Sequence, residues 1–179
     1  MIRKIFLVAA SVMMMSTYTF AQNESKSANE DNSKTYKLAV SKGKLNLDLG
    51  RVTVEGYNGN EIVFSTKTRS RDNDERAKGL RSINSLGLED NTELGINVVE
   101  KNGVIEVKQL QQMTPPNIKI LVPKGVTISF NHQSQFGSTI TFKNIENEVE
   151  ATASYNNIVL ENVTGPATIN TIYGSIDAK

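Results

Sequence analysis

The chain has 179 residues, with 20 Lys and Arg against 19 Asp and Glu for a formal charge of +1, and it contains no cysteine. That length allows one domain with enough interior for a real core, and the absence of thiols excludes a disulfide framework, a thiolate nucleophile, a Cys-based metal site and a lipid-bearing cysteine. A charge so close to neutral offers no electrostatic attraction to nucleic acid.

The chain opens on its clearest local motif. Arg3 and Lys4 precede an apolar run from Ile5 to Met15, and Thr19-Phe20-Ala21 precedes Gln22. A charged start, a short hydrophobic segment and a small-residue cleavage site make a signal peptide. Residues 1–21 are assigned to it, with the cut between Ala21 and Gln22. The apolar run is too short and one-sided to cross a bilayer stably, so no transmembrane segment is expected after cleavage. Removing two basic residues and no acidic one leaves 18 against 19, a charge of −1. Residues 22–34 hold a single apolar side chain, Ala28, and read as a flexible polar tether. The domain proper is then 35–179, exported to the periplasm, the cell surface or the medium.

Strand signals follow in quick succession. Tyr36, Leu38 and Val40 alternate with polar residues, as do Leu45, Leu47 and Leu49, then Val52 and Val54, then Ile62 and Phe64. Gly43, Gly50 and the Gly56-to-Asn60 cluster punctuate them as turns. With no room for crossover helices, the spacing argues for an all-β fold. The pattern breaks between Lys67 and Asn91. Ala77, Leu80, Ile83 and Leu86 recur at three-residue spacing, which suggests a short helix near 74–86, although Gly79 and Gly87 oppose it. Asp72, Asp74 and Glu75 are acids of the kind a calcium loop needs, but the glycine and distal glutamate of such a loop are missing and arginines are interspersed. A solvated loop is the better reading, and no metal site is expected.

Strands resume on both sides of Lys101-Asn102-Gly103, an Asn-Gly step between apolar runs that predicts a hairpin. Thr114-Pro115-Pro116 ends the second of them. Ile118, Ile120 and Val122 alternate up to a Pro123-Lys124-Gly125 turn, and Val126, Ile128 and Phe130 alternate after it.

From Gly137 to Lys179 the sequence repeats itself. An offset of eighteen positions carries Ile140 onto Ile158 and then Ile176, Phe142 onto Leu160, Val149 onto Ala167 and Ala151 onto Ile169. A fixed period near twenty made of short strands and Gly/Asn turns is the mark of a β-solenoid, in which each coil buries its apolar row against its neighbours. The expected architecture is a single-domain β-solenoid with an 18-residue repeat at its C-terminal end, the three isoleucines forming one inner column. The same offset superposes Asn144 on Asn162 and Tyr155 on Tyr173, so these four residues are expected to form surface ladders. Aligned amides share hydrogen bonds and aligned rings pack offset. Such ladders stabilise a coil, and exposed Tyr and Asn also suit contacts to sugars or peptides.

Catalytic chemistry finds little to work with. His132 is the sole histidine and stands in a polar stretch with no acid nearby in sequence, which reads as a surface side chain. Glu146, Glu148, Glu150 and Glu161 scatter along turns and edges instead of converging as a hydrolytic pair would. Neither catalytic nor cofactor-binding residues are assigned, and no cofactor is expected.

The strand from Ile118 to Pro123 with its Val-Pro-Lys-Gly turn, the Gly56-to-Ile62 stretch, Leu88-to-Thr92, Asn162-to-Pro166 and Tyr173-Gly174-Ser175-Ile176 together resemble a family. It is that of bacterial envelope proteins of unknown function that carry a β-strand-repeat domain and are labelled adhesins. The resemblance covers nearly all of the mature chain. It implies a β-solenoid fold, export and a non-enzymatic role, and it supplies no ligand residues. Such proteins continue for more coils than this chain, which stops at Lys179, so the solenoid is expected to be truncated there or to pair its C-terminal edge strand with another copy. The leading reading is an exported adhesin or envelope interaction module with a protein or glycan partner. Two alternatives stand beside it: a polysaccharide-active β-helix enzyme, and a periplasmic regulatory or sensor partner in an envelope-stress system.

Overall fold

The computed structural model describes residues 33–67 and 80–179, so the signal peptide with Ala21 and Gln22, most of the polar tether and Asp72, Asp74 and Glu75 lie outside the described residues. Ser33 and Lys34, read from sequence as the end of the tether, are already strand: they pair with Lys67 and Thr66.

The described residues are all-β, with thirteen strands in two mixed sheets and no helix. Strands β2 (Lys42–Asp48), β5 (Ile96–Lys101), β6 (Val104–Gln109), β8 (Gly125–His132), β10 (Val149–Ser154) and β12 (Ala167–Ile172) form sheet II, in the order β12-β10-β8-β2-β6-β5. Strands β1 (Ser33–Leu38), β3 (Val52–Tyr57), β4 (Ile62–Lys67), β7 (Ile118–Pro123), β9 (Ile140–Lys143), β11 (Ile158–Glu161) and β13 (Ile176–Ala178) form sheet I, in the order β1-β4-β7-β3-β9-β11-β13.

From β6 onward the chain alternates between the sheets, one strand in each per turn of chain. Apart from the antiparallel pairs β1/β4, β4/β7 and β5/β6, neighbours run parallel. Period-two alternation supplies one apolar face to each sheet, and those faces share a single interior. Leu45, Leu47, Val107, Ile128, Phe130 and Ala151 enter it from sheet II, and Val54, Phe64, Ile120, Phe142 and Ile158 from sheet I.

The eighteen-residue offset is the pairing register of the last turns of chain. Ile158 pairs with Ile140 and with Ile176, Val149 with Ala167 and Ala151 with Ile169. Ile140 and Ile158 are fully buried, whereas Ile176 on the edge strand β13 is 49% exposed.

Chain order is not stacking order. The early pair β2 and β3 is inserted between β8/β9 on one side and β6/β7 on the other. Lys44 pairs with Thr127, 83 residues on, while Val52 pairs with Ile140, 88 residues on. The two offsets differ because the β8–β9 connection is longer than the β2–β3 one, and a varying offset leaves no period in the sequence.

The helix expected near 74–86 is absent from its described part. Residues 80–86 are irregular, Ile83 makes an isolated bridge to Glu89, and Leu80, Ile83 and Leu86 are exposed. The Asn84 side chain instead caps a turn by accepting from the backbone N–H groups of Leu86 and Leu88. Residues 74–79 lie outside the described residues. The predicted hairpin forms between β5 and β6, with Asn102 and Gly103 both at positive φ, the backbone that Asn-Gly favours.

Candidate functional site

Each connection from sheet II to sheet I turns the same corner of the molecule. The corner therefore carries the residues that follow β6, β2, β8, β10 and β12 in stacking order. Tyr155 and Tyr173 are the first residues after β10 and β12, and their rings stack with centroids 5.1 Å apart and planes 19° apart. Tyr155 is 50% and Tyr173 79% exposed. Both hold φ near +60°, a backbone state unfavourable for a bulky side chain and kept twice at the same place in the repeat.

The amide pair stands on the other corner, where sheet I strands hand over to sheet II. Asn162 Nδ2 donates to Asn144 Oδ1 at 3.0 Å, and both residues again have positive φ, which asparagine tolerates. The four ladder residues thus divide into an amide pair and an aromatic pair on different corners.

Two further asparagines, not singled out from sequence, tie successive turns of chain together from inside. Asn147 Nδ2 donates to the carbonyls of Pro123 (2.7 Å) and Val126 (2.6 Å), and Asn156 Nδ2 to those of Ser138 (2.7 Å) and Gly50 (3.3 Å). Eighteen residues on stand Gly165 and Gly174, where any Cβ would run into the carbonyl oxygens of Asn147 and Asn156. The signal was available: under the repeat offset these positions read Asn over Gly twice.

His132 is not the surface side chain expected. It closes β8, is only 2% exposed, and its Nδ1 lies 2.8 Å from Asp48 Oδ1 on the neighbouring strand β2. The acid that partners it is not a neighbour in the chain but stands 84 residues away. Facing a carboxylate oxygen, which accepts, Nδ1 is the donor, and Nε2 is buried without a partner among the described residues. Beside it, Gln109 Oε1 accepts from the Gly50 N–H at 2.6 Å, and Gln109 Nε2 also lacks a partner.

These groups underlie an open groove of about 770 Å³ at the sheet II to sheet I corner, lined among others by Lys108, Gln109, His132, Gln133, Phe136 and Tyr155. A smaller depression of about 370 Å³ lies on the outer face of sheet II between Lys44, Asn46, Glu106 and Asn131. Asp48 and Lys108 line both, so the two adjoin. Outward residues in this region are polar and in register. Glu106, Asn46, Ser129, Glu150 and Thr168 form one row across β6, β2, β8, β10 and β12. Lys108 pairs with Asp48, Asn131 with Thr152, and Thr152 with Asn170, in the next row.

The acids considered for hydrolysis do not converge. Glu146 pairs with Lys124 (2.8 Å), Glu161 pairs with Lys143 (3.3 Å), and Glu148 and Glu150 are exposed. Glu55 on sheet I is held below its ordinary value of 4.5, chiefly by its hydrogen bond with Lys119 at 2.7 Å. Among the described residues no three His, Asp or Glu side chains come together as a metal site, and no helix is long and apolar enough to cross a membrane.

Neither a protein-family profile nor a curated protein sequence matches the chain. Two crystal structures are similar at low level. A proposed cell adhesion protein from Clostridium sporogenes has 11% identity and a TM-score of 0.39 over 82% of this chain and 98% of its own. A proposed adhesin from Bacteroides fragilis has 8% identity and a TM-score of 0.29 over 82% and 97%.

Proposed function

We propose that the protein is an exported, non-enzymatic recognition module of the bacterial envelope, adhesin-like in action and built as a β-solenoid. The observation that carries this reading is the in-register stacking of parallel strands. It repeats outward side chains at the strand spacing of about 4.8 Å, a row suited to an extended or polymeric partner. The N-terminal charged, apolar and small-residue order supports export. The mature chain begins at Gln22 and acts in the periplasm, at the cell surface or outside.

The polysaccharide-active alternative has one observation in its favour, the Asp48–His132 pair under a groove. Its free Nε2 is sealed from solvent, however, so the pair orients Asp48 instead of offering a base.

Two measurements test the proposal together. Fractionated cells should yield the protein outside the cytoplasm with Gln22 as its first residue, and the purified mature chain should bind isolated envelope material saturably. A cytoplasmic protein retaining Met1, or retention on envelope material no greater than that of an inert control, defeats it.

A further inference from the structure

We infer that the corner groove, with the polar face that adjoins it at Asp48 and Lys108, binds an uncharged oligosaccharide chain laid along the stacking direction. This rests on the recognition reading above and names the ligand class of that site.

Four features of the groove converge on this chemistry. Tyr155 presents half its surface at one end and is backed by Tyr173, so a flat apolar face stands where the C–H side of a pyranose ring can pack. The positive φ at both tyrosines opposes so bulky a residue, which glycine would satisfy at no steric cost, and the rings are kept. Along the groove run Asn46, Asp48, Lys108, Asn131 and Gln133, amide, carboxylate and ammonium groups that donate to and accept from hydroxyls. Their charges balance, Lys44 and Lys108 against Asp48 and Glu106, which selects for a neutral ligand over a phosphate or a polyanion.

Shape selects for length. The corner groove crosses the stack from Lys108 and Gln109 at the end of β6, past Asp48 and His132, to Tyr155 after β10, and the polar rows advance by about 4.8 Å per strand, comparable to one sugar unit of an extended chain. A peptide adding to the molecule as a strand would instead use the sheet edges, away from this face.

Beneath the groove, His132 is a positioning residue: its buried Nδ1–H fixes the carboxylate of Asp48, which is itself half exposed.

The experiment is calorimetric titration of the mature chain with three hexasaccharides: β-1,4-linked glucose, β-1,4-linked N-acetylglucosamine, and galacturonic acid as the charged comparison. At least one uncharged hexamer should bind saturably and more tightly than the acidic one. Tyr155→Asn and Tyr173→Asn delete the rings while retaining a residue at home at positive φ, and each should weaken that binding about three- to tenfold. Asp48→Asn should weaken it as well, whereas Asn162→Ala on the other corner should leave it unchanged. Failure of both uncharged hexamers to bind at millimolar concentration, binding of the acidic hexamer alone, or equal loss in Asn162→Ala overturns the inference. Envelope binding undiminished in Tyr155→Asn overturns the groove as its site while the recognition reading stands, and absence of envelope binding by the unaltered chain removes that reading itself.

Discussion

Truncating the isoleucine column to alanine one residue at a time measures how the interior closes. Ile140, Ile158 and Ile176 occupy one register position on β9, β11 and β13, yet the first two are fully buried and the third is 49% exposed. Ile→Ala removes three carbons. At a fully buried site the lost transfer free energy and the residual cavity together cost about 2–5 kcal/mol. At Ile176 roughly half the side chain already meets water and no closed cavity is left, so the cost falls to about 1 kcal/mol. Urea unfolding followed by circular dichroism reads the midpoints directly. For a domain of this size each kcal/mol also corresponds to about 2–4 °C in Tm, so Ile140→Ala and Ile158→Ala should melt well below Ile176→Ala. Three equal losses, or a larger loss at Ile176 than at Ile158, would refute the reasoning that a shared inner column closes progressively toward the edge.

Asn156→Ala removes donors to the carbonyls of Ser138 and Gly50 and should cost about 1–3 kcal/mol in the same assay. Unchanged stability would mean the side chain does not tie those turns. Glu55, held below its ordinary value of 4.5 by Lys119, contributes stability that is present above that value and lost as the pH falls through its lower folded value. Glu55→Gln should therefore be less stable than the native chain at pH 7 by about 0.2–1 kcal/mol, and the difference should shrink in acid. A difference that grows on acidification contradicts the assignment. Edge strands β12 and β13 leave Ile172 and Ile176 exposed, and self-association there predicts that light scattering detects dimers at high concentration and that Ile176→Lys reduces them. A clean monomer at every concentration removes that pairing.

The repeat was legible because nothing interrupts it: from Ile140 onward turn lengths are constant, so alternation and offset alone align Ile140 with Ile158 and Ile176. The Asn102-Gly103 hairpin was legible for the same local reason, since two residues suffice to set its backbone. All-β character and strand positions needed only short-range pattern. What the tertiary structure decided lies in contacts between distant segments. The insertion of β2 and β3 into the middle of the stack follows offsets of 83 and 88 that share no period, so periodicity cannot find it. His132 changes from an apparent surface residue to a buried partner of Asp48 because that insertion sets β2 beside β8. The groove exists only where those two strands, β6 and the Tyr155 turn come together. Periodicity reports what a chain repeats, and packing alone reports which of its non-repeating parts become neighbours.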